Sequence, residues 1–125
     1  RQCLELENGR WDILHGYDEI LLAGLALGVT GAVGSTYNYM ASLYRGMISD
    51  FEQGNLAAAR KKQDLSIRIV EILNKYGGAV PAGKALMKSA GVDCGPCRLP
   101  VKNVGDSYGQ LLQEMENEGV LNPVI

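Results

Sequence analysis

The chain has 125 residues, 46% hydrophobic and 21% charged, with a net charge of −2. That length bounds one domain or part of one. No uninterrupted run of about 18 apolar residues, no basic-then-apolar leader and no basic patch occur, which argues against a membrane span, a secretory signal and a nucleic-acid partner. The first residue is Arg1 rather than Met, so the expectation is a processed chain or a fragment. Cys3, Cys94 and Cys97 are an odd count, unlike a secreted disulfide framework, and favour a reducing, cytoplasmic setting.

Residues 1–10 are polar and read as the finish of a helix. Residues 11–14 read as a short strand. Residues 18–27 read as a helix, with Leu21, Leu22 and Leu25 on one stripe and Gly28 as the stop. Residues 29–34 read as a second strand, built of small residues that allow close backbone approach. Beyond Asn38, the residues Met40, Leu43, Tyr44, Met47, Ile48 and Phe51 recur at helical spacing until Gly54. A second long helix covers residues 56–75, with Leu65, Ile69, Ile72, Leu73 and Tyr76 inward and Gly77-Gly78 as its stop. Pro81 suits the first turn of a third helix ended by Gly91. Residues 92–105 form a loop, and residues 107–118 a last helix with Tyr108, Leu111, Leu112 and Met115 inside.

Two loops carry most of the chemistry. Gly16-Tyr17-Asp18-Glu19 and Gly34-Ser35-Thr36-Tyr37-Asn38 each follow a short apolar run and precede a helix. Consecutive parallel strands put such loops on one edge of a sheet, where α/β proteins bind ligands. Two acids and two hydroxyls then face a polar ligand together. The same residues also have a plainer reading. Asp18 and Glu19 suit a helix dipole, Ser35 and Thr36 suit helix capping, and His15 at a strand end reads as structural.

Cys94-Gly95-Pro96-Cys97 matches the thioredoxin tetrad. That motif needs a strand before it and a helix N-terminus after it to lower the thiol pKa. Here a helix ends before it, and Pro100 disfavours a helix after it, so the reading is a Gly-Pro turn flanked by thiols. One C-x-x-C with a distant Cys3 and a single His15 is no convincing zinc set. No metal and no cofactor are expected.

A parallel pair of strands is normally buried on both faces, and two strands alone leave open edges. The pattern therefore wants more strands than it contains, as in the C-terminal part of a larger α/β structure.

The segments Gly16-Tyr17-Asp18-Glu19-Ile20 and Gly31-Ala32-Val33-Gly34-Ser35-Thr36-Tyr37-Asn38 resemble the N-acetylneuraminate lyase (sialic acid) branch of the pyruvate-dependent class I aldolases. This family also holds dihydrodipicolinate synthase. The resemblance runs on through Phe51-Glu52-Gln53-Gly54, the Lys84 region and Gly95-Pro96-Cys97-Arg98-Leu99-Pro100. It implies an α/β fold, the C-terminal part of a TIM (β/α)8 barrel: residues 1–54 as the last two β/α units and residues 55–125 as a helical C-terminal extension. It implies cleavage of N-acetylneuraminate to N-acetylmannosamine and pyruvate through a Schiff base on a barrel lysine, the imine acting as electron sink.

That lysine belongs to an earlier strand, as do the tyrosine proton shuttle and the Ser/Thr pair that holds the pyruvyl carboxylate. No catalytic residue is therefore expected in this segment, and Lys61, Lys62, Lys84 and Lys88 sit in helical stretches that do not match. The resemblance carries over the sugar side: the backbone of Gly16 and Gly34 and the side chains of Asp18, Glu19 and Ser35, with Tyr17 and Thr36 as lining. Its implied partners are a small sugar acid, pyruvate, the N-terminal half of the barrel and further copies in a homotetramer. Two alternatives stay open: a sister aldolase acting on another 2-keto-3-deoxy sugar acid, and a non-catalytic helical interaction fragment.

Overall fold

The computed structural model describes residues 1–120; the last five residues of the expected 55–125 extension lie outside them. A short helix α1 (Gln2–Glu5) and a 3-10 turn (Leu6–Asn8) open the chain. A 3-10 turn (Asp18–Ile20) leads into α2 (Leu21–Ala26). Then follow α3 (Tyr37–Glu52), α4 (Leu56–Lys75), α5 (Ala79–Ser89), a 3-10 turn (Gly105–Ser107) and α6 (Tyr108–Asn117).

The expected apolar stripes face one core. Leu21, Met40, Tyr44, Met47, Ile69, Leu73, Leu86, Leu111 and Met115 are all buried in it. Each such side chain removed from water contributes roughly 1.5–3 kcal/mol before the entropy of ordering is charged against it. Helix α4 is the hub, packing against α2, α3, α5 and α6. Asn55 caps its start by accepting the Ala58 N–H at 3.4 Å. At its far end Lys75 and Tyr76 both donate to Glu114 of α6, each at 2.7 Å. Those two donors, Lys75 foremost, hold the Glu114 carboxyl below the usual carboxylate range.

The two stretches expected as strands need correction. Among the described residues neither 11–14 nor 29–34 forms a strand; the segments run parallel and share one bridge, His15 with Ala32. His15 N–H donates to Gly31 O (3.0 Å) and Val33 N–H donates to His15 O (2.8 Å). Three residues back along the first segment, pairing has passed to side chains, with the Thr30 hydroxyl donating to Asp12 Oδ1 at 2.6 Å. A parallel ladder is weak per residue and relies on flanking strands and covered faces. None flanks this pair among the described residues, and the apolar side chains of Trp11, Leu14 and Val33 stand exposed. What persists is the order of a β/α unit: segment, helix, parallel segment, with both following loops at one end.

Candidate functional site

The two loops meet through Asp18. This carboxylate is only 6% exposed, and a buried charge needs hydrogen bonds to offset lost hydration. Asp18 Oδ2 accepts the Thr36 N–H at 3.2 Å and the Thr36 hydroxyl at 2.5 Å. Thr36 Oγ1 also lies 2.7 Å from the Tyr44 hydroxyl. Since the one Thr36 proton points at the carboxylate, Tyr44 donates in that pair. Thr36 is the N-cap residue of α3 but makes no side-chain cap of its own. Asp18, reaching from the other loop, supplies the acceptor and sets a negative charge at the positive end of α3.

Gly34 is what lets the loops approach. A Cβ built there would overlap the Asp18 carboxylate, Oδ1 above all. Gly24 acts similarly beneath the first loop, where a Cβ would lie 2.6 Å from Nδ1 of His15. The His15 ring is turned inward, its Nε2 donating to Tyr17 O at 2.8 Å. This supports the structural reading of His15, which shapes the Gly16–Tyr17 bend.

The expected site residues thus fall into two sets. Asp18, Gly34 and Thr36 are in mutual contact and form the floor. Gly16, Tyr17 (58% exposed) and Ser35 lie open to solvent, with Glu19 half-buried beside them. The Ser35 carbonyl accepts from Asn38 Nδ2 at 3.0 Å. Glu19 borders a groove of about 530 Å³ shared with Ile20, Phe51, Arg60 and Gln63.

Around the floor stand three tyrosines of α3. Tyr37 and Tyr44 meet edge to face with ring centroids 4.3 Å apart. Tyr39 is buried and donates to Ala79 O at 3.0 Å. The Tyr37 hydroxyl is buried with no hydrogen-bond partner among the described residues. Burial, followed by the nearby Asp18 carboxylate, raises Tyr37 beyond the usual phenol range. Burial first, then the Tyr44 and Asp18 charges, does the same to Tyr39. Burial pushes Tyr44 up to about 12.

Sequence reasoning missed Gln63. It sits on α4, 8% exposed, and reaches the first loop directly: Nε2 donates to Asp18 O at 3.2 Å and Oε1 accepts Leu22 N–H at 2.9 Å. The available signal was a pair of polar residues, Gln63 and Ser66, on the inward stripe of a helix whose other buried positions are apolar.

Lys62, Lys84 and Lys88 are engaged elsewhere, Lys88 with Asp93. Lys62 pairs with Asp50 between α4 and α3. Lys84 of α5 donates to the carbonyls of Cys94 (3.2 Å), Gly95 (3.4 Å) and Pro96 (3.0 Å). The Cys94–Cys97 stretch is a loop with neither a strand before it nor a helix starting at its end, so the geometry that activates a thioredoxin thiol is not built here.

Paired loops at one end of parallel segments, each opening a helix and joined by a buried carboxylate, have the layout of the edge at which α/β barrels bind ligands. The chain belongs to the dihydrodipicolinate synthetase family, whose model matches residues 2–117. It is 36% identical over 102 residues to N-acetylneuraminate lyase of Rhizobium meliloti (strain 1021), covering 82% of this chain and 34% of that protein. It is 39% identical over 109 residues to the Gallus gallus enzyme of the same name, covering 86% and 35%. Among solved structures, Proteus mirabilis N-acetylneuraminate lyase superposes with a TM-score of 0.87 at 39% identity, over 94% of this chain and 40% of that one. The N-acetylneuraminate lyase (sialic acid aldolase) of Aliivibrio salmonicida gives 0.85 at 32% identity, over 99% and 40%. The chain thus spans about a third of the length of the curated relatives it matches.

Proposed function

We propose that this segment is the sugar-binding part of a class I aldolase that cleaves N-acetylneuraminate to N-acetylmannosamine and pyruvate. Residues 1–54 correspond in this reading to the last two β/α units of a (β/α)8 barrel, and residues 55–125 to its C-terminal helices. The remainder of the barrel supplies the Schiff-base lysine, and the complete protein works as a cytoplasmic homotetramer. The observation that carries the reading is the joined pair of loops, Gly16–Glu19 and Gly34–Thr36, on a chain that matches N-acetylneuraminate lyases over most of its length. The exposed apolar side chains of Trp11, Leu14 and Val33 beside an unextended parallel bridge support a covering neighbour.

The chemistry suits a polyhydroxyl chain. The Glu19 carboxylate accepts hydroxyl hydrogen bonds, Ser35 both donates and accepts, and the backbone at Gly16 is uncovered by side chains, while Gly34 has the Asp18 carboxylate packed against it. Asp18 spends Oδ2 on Thr36, so its contact with a sugar hydroxyl runs through Oδ1, past Gly34. Tyr17 and Thr36 complete the lining. Imine formation on that lysine, expected just upstream of Arg1, stabilises the carbanion that leaves with pyruvate, while this segment fixes the orientation of the sugar. The test is product release: the complete polypeptide given N-acetylneuraminate should yield N-acetylmannosamine and pyruvate in equal amounts. Release from a different 2-keto-3-deoxy sugar acid alone would move the assignment to a sister aldolase.

A further inference from the structure

A regular α-turn across residues 18–22 would join the Leu22 N–H to Asp18 O. Here the Leu22 N–H goes instead to Gln63 Oε1 at 2.9 Å, and Gln63 Nε2 donates to Asp18 O at 3.2 Å. The carboxamide of α4 thus stands between the two groups like an inserted peptide unit. The backbone breaks at the same place: Ile20 has φ −133° and ψ 26°, which separates the 3-10 turn Asp18–Ile20 from α2. Ser66, one turn further along α4, locks the wedge. Its Oγ lies 2.6 Å from Gln63 Nε2, and its own hydroxyl donates to Gln63 O at 2.8 Å. Ser66 is fully buried, so these bonds face no competition from water.

Asp18 is therefore held from two sides, its carboxylate by Thr36 and its carbonyl by Gln63. Without the wedge, residues 18–20 are free to wind into α2 as ordinary helix. A 3-10 turn advances about 120° per residue and an α-turn about 100°, so the change would swing Asp18 and Glu19 relative to the second loop. We propose that Gln63 is a positioning residue for sugar recognition: from α4 it fixes the turn that presents Asp18 and Glu19 to the substrate's hydroxyl chain. The assignment rests on the aldolase reading above.

The test uses the complete polypeptide in the condensation direction, with KM measured separately for N-acetylmannosamine and for pyruvate. Gln63→Leu keeps the bulk and deletes both bonds. The KM for N-acetylmannosamine should rise by about tenfold, in line with the cost of displacing a positioning group. The KM for pyruvate and the yield of borohydride-trapped imine should stay unchanged. Ser66→Ala loosens the same wedge more gently and should move the sugar KM in the same direction, which decides the matter if Gln63→Leu does not fold. An unmoved sugar KM, or both KM values rising together as general damage would cause, overturns the role of Gln63. A parent enzyme that traps no pyruvate overturns the aldolase reading itself, and this assignment with it.

Discussion

Asp18 holds Thr36 twice with one oxygen: Oδ2 takes the amide proton at 3.2 Å and the hydroxyl proton at 2.5 Å. One carboxylate therefore ties the first loop to the second and caps α3. Removing the hydroxyl by Thr36→Val leaves a buried charge short of a partner. That should cost roughly 1–3 kcal/mol of stability, while Thr36→Ser should recover most of it. Urea titration of both variants checks the contrast.

Gly34→Ala should be more damaging than its size suggests. The added methyl would overlap the Asp18 carboxylate, which cannot withdraw without giving up Thr36. Overpacking of this kind costs about 1–3 kcal/mol. Thermal unfolding should show the loss, and it should shrink in a Gly34→Ala/Asp18→Ala double variant, because the two changes share one contact.

The tyrosines give opposite expectations for the same chemical change. Tyr44 donates to Thr36, so Tyr44→Phe should destabilise by about 1 kcal/mol. The Tyr37 hydroxyl is buried without a hydrogen-bond partner among the described residues, so Tyr37→Phe removes an uncompensated polar group and should leave stability unchanged or raise it. Melting temperatures of the two variants should lie on opposite sides of the parent or, for Tyr37→Phe, level with it.

Alkaline pH should unfold the chain through these phenols. Burial raises Tyr44 from 10.0 to about 12 and lifts Tyr37 and Tyr39 further. A group whose folded pKa is raised contributes stability that is intact below the unfolded pKa and lost as pH rises toward the folded one. Stability should therefore hold up to about pH 10 and fall between about 10 and 12. Tyr44→Phe should make the fall shallower in denaturant midpoints measured across that window.

Helices were legible because their signal is local. The stripes of 40–51, 56–75 and 107–118 need only a 3.6-residue period and a stop, and the structure places Met40, Leu73 and Leu111 inside as expected. Strands were not, because a parallel strand depends on neighbours that periodicity cannot supply; the pairing contracts to His15 and Ala32. The candidate site was legible as residue types in two loops. Its internal order was not: that Asp18 spends one oxygen on Thr36, and that Gln63 from 45 positions away holds the Asp18 carbonyl, are facts of tertiary approach.

The most direct measurement is to treat the complete polypeptide with N-acetylneuraminate and borohydride, then map the modified peptide by mass spectrometry. The account predicts one reduced pyruvyl adduct, on a lysine outside residues 1–125. An adduct on Lys61, Lys62, Lys84 or Lys88, or no adduct at all, would contradict it.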